Sequence, residues 1–528
     1  MHALELVLVL LVPVAALAVL ARRLGVPYPI LLVVGGLLLG LVPGLPRVEL
    51  EPDTVFLLFL PPMLYIAGFF TSIRDFRANA RAIGSLAVGL VLATIVVVGA
   101  VAHAVVPGLS WPAAFLLAAI VSPPDAIAAT TVLQRLGAPR RLVAILEGES
   151  LLNDATALTA YRAALAAVVI GAFSPSDTGL RFALALGGVP IGLAVGWAVA
   201  QVRRRLNDPP VEIVISLLTP YAAYLPAEQL GVSGVLATVA AAVYLSRRAS
   251  ELMEPETRLS GRAVWETAVF VMTGLVFILI GLQLPGVIAS LGQESTASLL
   301  ASAGAVTLAA IAVRFAWLYL TQYLPHPILH GHDDPHQSWQ ELFVAGWAGM
   351  RGVVSLAAAL ALPRTLADGS PFAERDLLVF LTFCVILVTL VGQGLTLPLV
   401  MRWLHVGADA ADEAAEEQRG RSAAAQAAVA RIEELAAQWP GHLPLVDALR
   451  VQYAHRLSHL GEHDGDGPAP IADPAHEQEM LEHRAIKRTV IEAERAAVLD
   501  LFQQGAIHDT VLRRLERDLD LEELRMEA

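Results

Sequence analysis

This sequence predicts an all-α polytopic membrane protein, with about thirteen transmembrane helices arranged as two inverted six-helix repeats with crossed discontinuous helices, followed by a helical cytoplasmic tail. Three observations carry that prediction. Of 528 residues, 56% are hydrophobic and 16% charged, with a mean hydropathy of +0.62, and the apolar residues fall in repeated runs of roughly 18 to 25, the length that crosses a hydrocarbon core. Arginines cluster in every second loop between those runs. Two of the runs, seven apart, are interrupted by proline or glycine near their middles. The runs are read as helices because a segment in lipid must satisfy its own backbone hydrogen bonds.

In chain order the runs lie near 3–21, 28–45, 54–71, 83–105, 111–136, 142–171, 179–202, 210–227, 231–246, 262–284, 297–323, 341–363 and 376–404. The basic loops carry Arg22 and Arg23; Arg74, Arg77 and Arg81; Arg135, Arg140 and Arg141; Arg203 to Arg205; and Arg247, Arg248, Arg258 and Arg262. The loops between them hold only Arg47, Arg181, Arg364 and Arg375. Positive loops stay on the cytoplasmic side, so the N-terminus is expected outside and the C-terminus inside, as an odd helix number requires. The loop from His326 to His336 departs from this pattern: it has no arginine and carries Asp333 and Asp334. No basic stretch precedes the first run, so no cleaved signal peptide is expected. The single Cys384 lies in an apolar run, which excludes an intrachain disulfide and a cysteine-based metal site.

Composition changes after Trp403. From His405 onward the chain has 25 acidic and 13 basic residues, which accounts for nearly all of the whole chain's net −13. The expected division is therefore a transmembrane domain over 1–404 and a cytoplasmic helical tail over 405–528. Within the tail, 422–438 and 478–504 read as amphipathic helices, 461–474 as a polar loop and 508–526 as a last short helix. A solvated bundle packed on itself or on a twin fits this composition.

The fifth run contains Ser122-Pro123-Pro124-Asp125, and the twelfth contains Gly346, Gly349, Met350, Arg351 and Gly352. Proline removes a backbone donor and glycine tolerates unwound geometry, so both runs are expected to be broken helices. A shift of seven spans reverses orientation. Runs one to six and eight to thirteen then form inverted repeats joined by the seventh, and paired breaks at corresponding positions point to a substrate site.

The sixth run supplies the chemistry. Glu147, Glu149 and Asp154, with Ser150 and Asn153, lie in a stretch that otherwise continues as apolar helix. An ionisable group at membrane depth is costly unless paired, hydrated or holding an ion. Ser150 and Asp154 are four apart and share a helix face, so a hydroxyl and a carboxylate can meet one small cation. Such a hard cation takes oxygen ligands, and carbonyls freed at Pro123 and Pro124 would supply more. Asp125 would offset half-helix N-termini, or contact the ion itself, and Arg351 would offset the matching C-termini. Neither the Gly-x-Gly-Asp nor the His-Glu-x-x-His pattern of intramembrane hydrolases occurs, so the chain is not read as an enzyme.

Four stretches carry the pattern: Leu60-Pro61-Pro62-Met63-Leu64-Tyr65, Ser122-Pro123-Pro124-Asp125-Ala126, Glu147-Gly148-Glu149-Ser150-Leu151-Leu152-Asn153-Asp154 and Gly349-Met350-Arg351-Gly352-Val353-Val354-Ser355. Together they span the membrane part and resemble the monovalent cation/proton antiporters, in the sodium/proton exchanger branch with an Asn-Asp motif. Ala493-Glu494-Arg495 and Leu515 to Asp520 in the tail look like the bacterial form. The resemblance implies a homodimer in the bacterial inner (plasma) membrane, each protomer with a dimerisation domain and a core domain that moves like an elevator.

By the same resemblance Asp154 is the cation- and proton-carrying carboxylate, Asn153 its partner, Ser150 a cation ligand, Asp125 the acid at the crossing, and Glu149 and Arg314 a bridge inside the core. Pro124 stands where relatives often have threonine, and Ile66 where they often have glutamate. One titrating acid in the Asn-Asp pair implies one proton traded for one cation without net charge. The expected partners are Na⁺ and H⁺, with Li⁺ or K⁺ as further cations, and the lipid bilayer; no cofactor and no nucleic acid is expected. A K⁺/H⁺ antiporter is the alternative, and a cation channel or sensor on the same fold a more distant one. Arg162, eight residues beyond Asp154, reads as a helix-end structural arginine or a funnel residue, and the cluster His326, His330, His332, Asp333, Asp334 and His336 as a solvated turn, a metal site or a pH sensor.

Overall fold

The computed structural model describes residues 3–24, 26–42, 52–171, 175–206, 208–290, 295–323, 338–407, 426–434 and 443–461, with isolated residues beyond. Among these, helix is the regular structure throughout, apart from one antiparallel bridge between Thr365 and Pro371. The helices are α1 (Ala3–Leu24), α2 (Tyr28–Gly40), α3 (Pro52–Phe70), α4 (Ile73–Ala78), α5 (Ala80–Gly84), α6 (Val91–Val105), α7 (Trp111–Val121), α8 (Ala126–Arg135), α9 (Arg140–Ile170) and α10 (Pro175–Ala185). They continue as α11 (Gly188–Arg203), α12 (Pro209–Gln229), α13 (Gly234–Ser246), α14 (Ala249–Leu252), α15 (Pro255–Ser290), α16 (Thr296–Tyr323), α17 (Trp339–Trp347), α18 (Val353–Leu360), α19 (Arg375–Leu387) and α20 (Gly394–Leu404). Among the described residues, six stretches are long and apolar enough to cross a membrane: 80–105, 178–203, 209–229, 256–283, 296–322 and 375–404. Large apolar side chains such as Val12, Leu308, Leu399 and Trp403 point outward, as a lipid-facing surface requires.

The runs at 111–136 and 341–363 are each two helices, α7 with α8 and α17 with α18. By contrast, the wide turns at Ser85–Leu90 and Val388–Gln393 leave α5–α6 and α19–α20 continuous. Wide turns of this kind often mark functional sites, and the second one adjoins the α17–α18 break through Thr389. Helix α9 is long and unbroken, because Gly171 ends it at φ +73° only after 31 residues. The helices pack closely where side chains vanish. A Cβ at Gly36 would strike the Ile278 carbonyl, and one at Gly281 the Val33 carbonyl, so α2 and α15 touch backbone to backbone.

The chain divides into two units, Met1–Ala408 and Asp409–Ala528. In the second, 426–434 is helical and Leu443–Gly461 forms a further helix. That second helix is absent from the sequence reading. Its apolar residues are not gathered on one face, and Val451 is 70% exposed while Val446 is 6% exposed. Arg450 holds Glu433 at 2.7 and 2.8 Å and Asp447 at 2.6 Å. The expected helices at 478–504 and 508–526 lie almost wholly outside the described residues, and the cluster from His326 to His336 lies wholly outside them.

Candidate functional site

Helix α7 stops at Val121 because neither Pro123 nor Pro124 has an N–H to donate to the carbonyls one turn back. Helix α17 stops at Trp347, before Gly349 and Gly352. The two breaks meet: the Asp125 N–H donates to the Met350 carbonyl at 2.6 Å. This bond replaces part of what each chain loses by unwinding.

Arg351 is fully buried at that meeting point. Its Nε donates to the carbonyl of Val121, the last residue of α7, at 3.2 Å; its Nη2 donates to Ala310 in α16 at 3.2 Å, and its Nη1 to Gly349. Its backbone N–H donates to Thr389 Oγ1 at 3.1 Å. The guanidinium thus sits on carbonyls left open at two helix C-termini, where a positive charge is favourable. The complementary end is held by Asp125, whose Oδ2 accepts from the N–H of Val353, the first residue of α18, at 3.3 Å.

Two glycines make room for these charges. A Cβ at Gly352 would stand on the Asp125 carboxylate and Cβ, and one at Gly349 on Arg314 Cδ and Nε. Gly352→Ala is expected to destabilise by about 1–3 kcal/mol through overpacking. Gly304→Ala in α16, with nothing within 4 Å of the added Cβ, should leave stability unchanged or raise it. Thermal melts of the two variants compare them directly, and equal melting temperatures would remove the steric role of Gly352.

Helix α9 carries the carboxylates past this crossing. Asn153 is fully buried and its Nδ2 donates to the Pro124 carbonyl at 3.1 Å, which ties α9 to the unwound stretch; its Oδ1 has no partner. Asp154 is 6% exposed, and its carboxylate makes no hydrogen bond or ion pair among the described residues. It faces a cavity of about 50 Å³ shared with Ser150, Pro124, Asp125, Gly352 and Ser355. This is room for one small ion and a little water. Ser355 Oγ, buried and without a partner, borders the same cavity. Neither Ser355 nor Thr389 was singled out by sequence, although Ser355 closes the motif that begins at Gly349.

Glu149 stands apart from the cavity. Arg314 clasps it with two bonds, Nη1 to Oε1 at 2.6 Å and Nη2 to Oε2 at 2.9 Å, and the two residues are 2% and 1% exposed. Arg314 Nε also donates to the Ala345 carbonyl at 3.0 Å, so one side chain joins α16, α9 and α17. Glu147 accepts from Gln134 at 3.0 Å, also away from the cavity. Arg162 is not a helix-end residue: it lies well inside α9 and pairs with Glu228 of α12, whose other oxygen accepts from the Gly234 N–H at 3.0 Å. Ile66 borders a different cavity, beside Tyr65 and Trp265.

A family model described as sodium/hydrogen exchanger, transmembrane, matches residues 6–403. An uncharacterized Na⁺/H⁺ exchanger of Mycobacterium tuberculosis is 39% identical over 98% of this chain and 96% of its own length, and one of Escherichia coli 32% identical over 98% and 97%. A sodium, potassium, lithium and rubidium/H⁺ antiporter of Bacillus pumilus is 36% identical over 75% of this chain and 60% of its own. The structure of the sodium proton antiporter MjNhaP1 from Methanocaldococcus jannaschii superposes with a TM-score of 0.58 at 18% identity, over 76% of this chain and 99% of that one, a likeness of fold.

Proposed function

This chain belongs to the sodium/hydrogen exchanger family, and from that premise we propose that it exchanges Na⁺ or Li⁺ for H⁺ across the bacterial plasma membrane, one for one. The observation that carries this reading is the Asp154 carboxylate, without a hydrogen bond or ion pair among the described residues, in a small cavity at the meeting of two broken helices, where the other acid, Asp125, accepts from the Val353 N–H. A carboxylate so placed needs a counter-charge, and either a proton or a cation supplies it. Competition between the two is exchange.

In the cation-bound state Asp154 and Ser150 hold the ion, with the Pro124 carbonyl and water completing the oxygen shell. Asn153 steadies that carbonyl through its amide. Asp125 and Arg351 balance the helix ends, so the cavity's charge is set by Asp154. Glu149, committed to Arg314, carries no second proton. The transmembrane domain over 1–404 acts as a homodimer whose core carries the site between two access states by an elevator-like step, and the inverted halves of the chain give the two states their symmetry. The acidic tail over 405–528 is cytoplasmic. The name of the Bacillus pumilus relative includes potassium, which keeps K⁺ as the competing substrate. Proton efflux from proteoliposomes challenged in turn with Na⁺, Li⁺ and K⁺ tests the reading: no efflux with Na⁺ would overturn it, and efflux with K⁺ alone would move it to a K⁺/H⁺ antiporter.

An electrical result follows from a single carrier acid. Asp154 crosses neutral with H⁺ in one direction and neutral with Na⁺ in the other, so a membrane potential, worth about 2.3 kcal/mol per charge per 100 mV, has no net charge to act on. With potassium first shown not to be transported, a potassium/valinomycin potential imposed without other gradients should drive no proton uptake. Steady uptake would mean that a second acid, Asp125 or Glu149, also carries a proton.

A further inference from the structure

Away from the Asp154 cavity lies a larger one, of about 230 Å³, between the C-terminal ends of α3 and α11 and the N-terminal ends of α12 and α15. Five buried polar atoms without hydrogen-bond partners belong to its lining residues: the Tyr65 hydroxyl, Arg203 Nε and Nη1, Glu212 Oε2 and Thr257 Oγ1. Arg203, the last residue of α11, is 1% exposed. Among the described residues its one hydrogen bond is a long one, Nη2 to the backbone carbonyl of Glu212 at 3.4 Å, and no ion pair joins it to the Glu212 carboxylate. A buried guanidinium and a buried carboxylate therefore stand side by side, each with capacity to spare. Unsatisfied buried groups of this kind are costly and call for a partner.

The remaining walls are mostly apolar and aromatic, with Ser216 and two further arginines that are already engaged: Arg258 Nη1 donates to the Met253 carbonyl at 2.8 Å and Arg262 Nε to Glu266 at 2.8 Å. Tyr65 stacks on Trp265 with ring centroids 5.4 Å apart and on Phe69 at 6.0 Å. Trp265 Nε1 is already committed to Ser216. Phe70, exposed at the mouth, has the Arg262 guanidinium 6.0 Å from its ring. Arg204 and Arg205 lie between α11 and α12, Arg247 and Arg248 shortly before α15, and Arg74 shortly after α3, and aromatic side chains with arginines at the ends of spanning helices mark the headgroup level of a bilayer.

A purely anionic guest would meet Glu212, and a purely cationic one Arg203. A phosphate ester carrying a primary amine satisfies both, since a guanidinium matches phosphate oxygens and an ammonium with three N–H donors matches a carboxylate. We propose that this cavity is a binding site for a zwitterionic aminophospholipid, its phosphate at Arg203, its ammonium at Glu212 and its chains leaving past Phe70. The site requires only that the chain sit in a membrane, so it stands or falls separately from the transported ion.

Native mass spectrometry of the full chain, titrated with phosphatidylethanolamine, phosphatidylglycerol or phosphatidylcholine, tests it. The first lipid is expected to be retained about tenfold more strongly than the other two, since only it offers a phosphate and an N–H-bearing amine together. Arg203→Met should remove that retention, and Glu212→Gln should erase the preference over phosphatidylglycerol. Gly261→Leu provides a variant with every charge intact: its added Cβ would have only Ile213 Cγ1 near, at 3.8 Å, so the side chain fills the cavity from α15. Equal retention of phosphatidylethanolamine and phosphatidylglycerol, or undiminished retention in Gly261→Leu, would overturn the site. Soluble phosphoethanolamine binding as well as the lipid would overturn its lipid character.

Discussion

Asp154→Asn is expected to reduce cation-driven proton movement to the background of empty vesicles while the protein still folds. Asparagine keeps the size and the hydrogen-bonding oxygen of aspartate but holds neither a charge nor a titratable proton. No other acid stands ready to replace it: Glu149 is clasped by Arg314 at 2.6 and 2.9 Å, and Asp125 accepts from the first N–H of α18. Stability should move the other way. Asp154 is 6% exposed and unpaired, so replacing a buried charge with a neutral amide removes a desolvation cost, and the melting temperature should hold or rise. Proteoliposome assays on the folded variant, beside its thermal melt, decide the matter. Measurable Na⁺-driven proton flux through Asp154→Asn would sink the assignment of the carrier.

The second large effect belongs to the Glu149–Arg314 pair and is structural. Removing one partner strands a charge inside the helix bundle, which typically costs about 3–5 kcal/mol, whereas replacing both with neutral groups costs far less. Glu149→Gln and Arg314→Met are each expected to lower the melting temperature steeply. The double variant should recover much of the loss, although the Ala345 carbonyl then loses its bond from Arg314 Nε. The cycle of four melts gives the coupling directly. Single variants that melt like the parent, or effects that simply add, would show that the pair contributes no stability.

These residues differ in how far the sequence alone revealed them. Asp154 was visible because an acid in an apolar helix violates the composition around it, and Ser150 because a spacing of four fixes a shared face. The breaks were visible because proline and glycine act through their own backbone geometry. The Glu149–Arg314 association came only through likeness to a known family. Neither Ser355, although it closes the motif that begins at Gly349, nor Thr389 stands out as a site residue in the sequence, since a hydroxyl in a membrane helix is ordinary until its neighbours are known. The helix Leu443–Gly461 leaves no clear signal in the sequence, because its apolar residues mark no single face.

By itself the sequence determined the class of molecule, a bundle of apolar helices, together with the positions of its breaks and of the acid it buries. Each of these rests on a local property: the length of a run, the covalent form of a residue, or the cost of one charge in lipid. Only the tertiary structure decided the partners. It brought Asp125 to Met350, put Arg351 on carbonyls of α7 and α16, and set the Asn153 amide on Pro124. It also turned Ile66 toward a second cavity, where Arg203 Nε and Nη1 and Glu212 Oε2 have no hydrogen-bond partner among the described residues. Contacts between residues 29 to 230 positions apart depend on how whole helices pack, and no periodicity along the chain encodes which polar group will face which.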